Sequence, residues 1–184
     1  MSSAFSATAV VAPAHSVQFK FAVNRCPPPS CATGGELAFY FLDTSALVKL
    51  YVQEPGTDRL LKVVDGHQGD RFAVLTISAV EIRSAIRRRQ RSGDIQPDVA
   101  GEILDSVRMH LESRFVRQVV NDSVIDAALE MIDRYALRAY DAVQLAGCLT
   151  LRATITEPLT FVCSDHQLLR AAGSEQLHVL DPAE

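Results

Sequence analysis

The sequence predicts an α/β domain with a central, mainly parallel sheet of four to five strands, on three observations. Short apolar strands alternate with helices from Leu37 onward. The strands are apolar on both faces, as strands of a sheet covered on each side are. One helix, Ala142 to Leu151, has almost no polar side and belongs deep between neighbours. Strands separated by helices imply parallel pairing through right-handed crossovers.

The elements follow in order. LAFYFL (37–42) reads as a strand and SALVKLYV (45–52) as a short helix. EPGTDRLLKVVD (54–65) gives a turn and a second helix, and FAVLTI (72–77) a strand. AVEIRSAIRRRQR (79–91) is a helix stopped by Gly93, and the next helix starts with Pro97 in its first turn. RFVRQVV (114–120) is a strand, DSVIDAALEMIDRYA (122–136) a helix, and LRAYDAVQLAGCLTLRA (137–153) the apolar helix. LTFVCS (159–164) is a strand, HQLLRAA (166–172) a helix ended by Gly173, and LHVL (177–180) a last strand. No internal repeat is present.

The 184 residues suffice for one domain with an appendage, residues 38–184 forming the domain. Residues 1–37 are rich in Ala, Ser, Pro and Val, with their first base at Lys20 and their first acid at Glu36. That order does not suit a secretory signal. The preferred reading is a disordered or misassigned extension; an organellar transit segment is the alternative. No apolar run reaches the roughly 18 residues of a membrane span. The net charge of −4 gives no global footprint for nucleic acid, so attraction to phosphate must be local or carried by a metal. Cys148 and Cys163 read as small buried hydrophobes, and Cys26 and Cys31 fit no common zinc spacing. A disulfide framework is not expected, which points to a reducing cytoplasm.

In a sheet of this kind, ligands gather beyond the carboxyl ends of the strands. Asp43 and Asp165 end strands there, while Glu81 and Asp141 sit in the first turns of helices starting near the same edge. Each acid has a structural explanation. Asp43 or Ser45 can cap a helix, Ser78 to Glu81 spells a capping box, Asp141 with Gln144 imitates one, and Ser164 or Asp165 can cap the next helix. Taken together, four converging carboxylates would raise one another's pKa values. No Lys or Arg lies within two residues of Asp43, Asp141 or Asp165. An oxygen-rich, thiol-free cluster suits Mg²⁺ or Mn²⁺. Phosphate-loop, dinucleotide, zinc-protease and nucleophile-elbow motifs are missing. His166 reads as an exposed residue at a helix start. Arg83, Arg87 and Arg91 form a stripe, and Arg88 lies two turns beyond Glu81 on nearly the same face, where it can meet a phosphate. A solvated basic face, or an acidic segment of a protein partner, explains the same arginines.

FLDTSALVKLYVQEPG, ISAVEIRSAI, LRAYDAVQLA and TFVCSDHQLLRAA, in that order, resemble the acid-bearing segments of the PIN-domain family, and within it the VapC-type toxin ribonucleases. The resemblance runs from about Tyr40 to Asp181. It implies a three-layer α/β/α domain and a Mg²⁺-dependent endoribonuclease acting on single-stranded RNA. It carries catalytic and metal-binding roles onto Asp43, Glu81, Asp141 and Asp165, with supporting hydroxyls at Ser45 and Ser164. It also implies a cognate VapB-like antitoxin and a homodimer. The alternative is a non-catalytic nucleic-acid or protein-binding module on the same fold, its acids serving as caps. The RNA target is not legible, since no aromatic cluster marks a base-reading surface.

Overall fold

The structure, a computed structural model, describes residues 37–66 and 69–184. The expectation of an extension over residues 1–37 lies, except for Leu37, outside the described residues, as do Cys26 and Cys31.

Among the described residues, five strands form one wholly parallel sheet: β1 (Phe39–Leu42), β2 (Arg71–Leu75), β3 (Phe115–Gln118), β4 (Leu159–Val162) and β5 (His178–Leu180), in the spatial order β3-β2-β1-β4-β5. The chain builds outward from β1 to β3, then returns to lay β4 on the other side of β1. The order therefore reverses between β1 and β4, and a crevice opens beyond the carboxyl ends of strands at such a point. Register sharpens this placement. Leu42 pairs with Val162, and the Asp43 N–H donates to the Val162 carbonyl at 3.0 Å, so the residues after the two strands emerge side by side.

The helices are α1 (Thr44–Leu47, continued by a 3₁₀ turn, Val48–Leu50), α2 (Thr57–Gly66), α3 (Ser78–Ser92), α4 (Pro97–Ser113), α5 (Asp122–Tyr135), α6 (Ala139–Arg152) and α7 (His166–Ser174). Strand side chains alternate between faces. Phe39, Phe41, Ala73, Leu75 and Phe161 join Val124, Met131, Leu145, Cys148 and Leu168 of α5, α6 and α7 in one apolar cluster. Leu42, Val74 and Val162 point to the other face and are equally buried, so helices cover both sides. Among the described residues, no helix is long and apolar enough to cross a membrane.

Of the helix ends marked by Pro and Gly, two fall where the sequence places them and one does not. Pro97 opens α4, and Gly93 ends α3 at φ 87°, where glycine carries no side-chain penalty. Gly173, expected to stop the last helix, lies inside α7; the turn instead falls to Gln176 at φ 61°. Exposed glycine weakens a helix without ending it, and Leu168, Ala171 and Ala172 hold this one against the core. Gly147 matters for packing. A Cβ there would overlap the Leu75 side chain, so its absence lets α6 lie close on β2.

Candidate active site

Asp43 is 7% exposed and caps α1, its Oδ2 accepting the Ser45 N–H at 3.0 Å. Asp165 caps α7, its Oδ1 accepting from the N–H groups of Gln167 and Leu168 at 2.8 and 2.9 Å. These two acids thus do the structural work that capping chemistry anticipates. Each spends one oxygen on it. Among the described residues, Asp43 Oδ1 and Asp165 Oδ2 accept no hydrogen bond.

The other two acids depart from the capping explanation. The S-x-x-E box does not form: α3 is capped at Ile77 without a side-chain bond. Glu81 Oε2 instead accepts from Thr44 Oγ1 at 2.7 Å and from Gln144 Nε2 at 2.7 Å. The α6 helix is capped at Arg138, again with no side-chain bond, which leaves Asp141 half-buried in the first turn with no hydrogen bond among the described residues.

Burial pushes the Glu81 carboxyl above its ordinary value; the Thr44 and Gln144 bonds pull it back, and Asp43 and Asp141 push it up again. Burial raises the Asp141 carboxyl as well, followed by Asp43 and then Asp165, with Arg138 opposing. These interactions link all four acids into one field. Arg138, three residues before Asp141, is the base that sequence proximity alone passed over, and it makes no ion pair with any of the four among the described residues.

The expected hydroxyls behave differently from each other. Ser45 Oγ accepts the Ser164 N–H at 3.0 Å and ties the exit of β1 to the exit of β4. Ser164 contributes that backbone group, while its own Oγ is buried without a partner among the described residues. Three further residues contact these acids in ways the sequence does not mark. Gln144 is 1% exposed and donates to Thr44 and Ser78 at 3.0 Å as well as to Glu81, joining α1, α3 and α6. In the sequence it shows only as a lone amide within an otherwise apolar helix. Thr44 is the second. Cys163, read as a small hydrophobe, is fully buried, yet its Sγ lies 3.5 Å from Asp43 Oδ2 and accepts the Asp165 N–H at 3.2 Å.

On the α3 stripe, Arg83, Arg88 and Arg91 are exposed and make no ion pair among the described residues. Arg87 is half-buried and donates to Gln90. Their neighbour Arg89 is bound to Glu54, which also pairs with the buried Lys49 at 3.0 Å.

Comparison with known proteins bears on this arrangement. The family described as PIN domain matches residues 40–173. This chain belongs to the PIN-domain family. Ribonuclease VapC47 of Mycobacterium tuberculosis is 31% identical over 70% of this PIN-domain chain and 86% of its own length. Ribonuclease VapC35 of the same species is 31% identical over 78% of this chain and 97% of its own. A solved toxin–antitoxin complex from Klebsiella pneumoniae has a TM-score of 0.56 at 16% identity, covering 79% of this chain and 98% of that one. At that identity the likeness concerns the fold, which is the three-layer, parallel-sheet architecture of the PIN domain.

PIN-domain nucleases of the VapC kind generally use divalent metal ions. The donor set here fits such an ion: carboxylate oxygens only, mutually repelling, several without donors, and no neutralising ion pair among the described residues. The spacing is loose. Among the described residues, ligand atoms all within 4.8 Å of one another occur in His166, Asp181 and Glu184 rather than in these four acids. A hard ion that keeps several of its waters and takes one or two carboxylates directly is compatible with that spacing.

Proposed function

We propose that this PIN domain is a metal-dependent endoribonuclease that hydrolyses phosphodiester bonds in single-stranded regions of RNA, as the toxin of a toxin–antitoxin pair. The observation that carries the reading is the shared field of Asp43, Glu81, Asp141 and Asp165 at the reversal of strand order. Capping accounts for two of these acids and leaves Glu81 and Asp141 unexplained.

Mg²⁺ or Mn²⁺ is the proposed cofactor; Asp43 and Asp141 would hold it most directly, and Glu81 and Asp165 would complete its set of carboxylates. When bound, such an ion offsets charge on phosphate oxygens and lowers the pKa of water. The chain's own contribution is preorganisation. Ser45 N–H and Cys163 fix Asp43, the α7 amides fix Asp165, and Thr44 with Gln144 fixes Glu81, so little reorganisation remains at the moment of reaction. Asp141 keeps both oxygens free of protein donors among the described residues. Arg88 is proposed to meet a phosphate leading to the site, with Arg87 and Arg91 adding weaker attraction. In-line attack leaves a 5′-phosphate and a 3′-hydroxyl.

The names of the relatives support a VapB-like antitoxin as partner, and the same reading includes a homodimer and a cytoplasmic setting. The test uses purified protein and labelled RNA with and without Mg²⁺ or Mn²⁺. Cutting that requires the ion and disappears in Asp43→Asn and Asp141→Asn supports the reading. Equal cutting by chelator-treated, refilled mutants defeats it. Ion-independent RNA binding without cutting supports the binding-module alternative.

A further inference from the structure

Three ligating side chains meet where the chain passes from β5 to its last residues. His166 opens α7, Asp181 follows β5, and Glu184 lies three residues further on. Their ligand atoms all lie within 4.8 Å of one another. His166 Nδ1 stands 3.9 Å from Asp181 Oδ2, too far for a hydrogen bond.

Asp181 is the decisive member. Its side chain is 5% exposed. Oδ1 accepts the Ala183 N–H at 2.8 Å, while Oδ2 accepts no hydrogen bond among the described residues. The nearby Arg59 donates its guanidinium to the Asp181 backbone carbonyl at 2.9 Å and makes no ion pair with the carboxylate among the described residues. A carboxylate this buried, with one oxygen that accepts no hydrogen bond and stands 3.9 Å from the exposed imidazole of His166, offers that oxygen to a cation. The segment is also held in place before any ligand arrives. Gly56, at φ 91°, approaches the Pro182 carbonyl so closely that a Cβ would collide with it, and Arg59 fixes the residue before Pro182.

We propose that His166, Asp181 and Glu184 bind one divalent transition-metal ion of borderline softness, of which zinc is the representative. One imidazole nitrogen and two carboxylate oxygens suit Zn²⁺, whereas Mg²⁺ prefers an all-oxygen shell. Two carboxylates with a neutral imidazole balance the ion's charge. The bound ion clips residues 181–184 to the first turn of α7, the helix that Asp165 caps. This site is independent of the ribonuclease reading and stands if that reading fails.

The test is calorimetric zinc titration of the full chain in excess Mg²⁺, which occupies oxygen-only sites, alongside thermal unfolding and the ring ¹⁵N shifts of His166. The variants are His166→Gln, Glu184→Gln and Asp141→Asn. His166 and Glu184 are exposed, so their variants are expected to keep the fold, which circular dichroism checks. The expected result is one zinc ion in wild type and Asp141→Asn, shifted His166 ring nitrogens, and affinity lower by about tenfold or more in His166→Gln and Glu184→Gln. Zinc-induced stabilisation falls correspondingly in the same two variants. Absence of zinc uptake by wild type, or uptake of undiminished affinity by His166→Gln, overturns the proposal.

Discussion

Gln144 Nε2 lies 2.7 Å from Glu81 Oε2, and this contact joins the apolar helix α6 to the arginine-rich helix α3 beneath the acid cluster. The same amide group reaches Thr44 and Ser78, while Gln144 Oε1 is buried without a partner among the described residues. A buried amide using only one of its two polar ends is costly for packing alone. Holding a carboxylate in one orientation gives it a purpose.

Replacing Gln144 with Leu separates these two effects. The variant loses the donor to Glu81 and also loses the orphaned Oε1, and the two changes oppose each other in stability. Urea unfolding is expected to report a loss of about 1 kcal/mol or less. RNA cleavage is expected to fall about 100-fold, as it does when a reacting group is misplaced. A large stability loss with unchanged cleavage per folded molecule would assign Gln144 to packing.

The pH dependence of metal-free stability has a definite sign. Glu81 and Asp141 take up protons more readily in the folded chain than their ordinary values of 4.5 and 3.8 allow. The folded state therefore binds more protons through the interval above those values, and stability falls as pH rises across it. Thermal melts of chelated protein from about pH 4 to about pH 8 are expected to show this decline, flattened in Asp141→Asn. Mn²⁺ should remove most of it in wild type and little of it in the variant. Melts that rise with pH in a manner unaffected by Asp141→Asn would show that these acids do not repel one another.

Cys163 provides a test of the strand-end packing. Burial and the adjacent Asp43 push its thiol well above the usual range, and burial alone does the same for Cys148. Neither forms a reactive thiolate while folded. Alkylation followed by peptide mass mapping is expected to label both only as fast as the protein unfolds. Rapid labelling of Cys163 in folded protein would mean that the Asp43–Cys163 contact opens readily.

Salt dependence isolates the basic stripe. If Arg88 neutralises one RNA phosphate, Arg88→Ala lowers the slope of log affinity against log salt by about 0.7. Binding of a non-cleavable RNA, measured by fluorescence anisotropy across a salt series, supplies that slope. An unchanged slope would move the RNA path off α3.

Much of this architecture is legible in sequence because the signals are local. Apolar runs bounded by Gly and Pro mark strands and helices, and Asp43 and Asp165 announce themselves by following strands. What sequence does not carry is which polar groups meet. Ser78 and Glu81 have the spacing of a capping box, yet Glu81 turns to Thr44 and Gln144, residues 37 and 63 positions away. Cys163 looks apolar because its neighbours are; only the pairing of β1 with β4 brings its sulfur to Asp43. Gly173 looks like a stop because intrinsic helix propensity is visible in sequence and the packing that overrides it is not.

The most direct measurement is a titration with Mn²⁺, counting bound ions by electron paramagnetic resonance in wild type, Asp43→Asn and Asp141→Asn, with RNA cleavage followed in the same samples. The four-carboxylate account predicts that Mn²⁺ binding and cleavage rise together in wild type and are lost together in both variants while each stays folded. Variants that retain the wild-type Mn²⁺ affinity and cut RNA at the wild-type rate would contradict it.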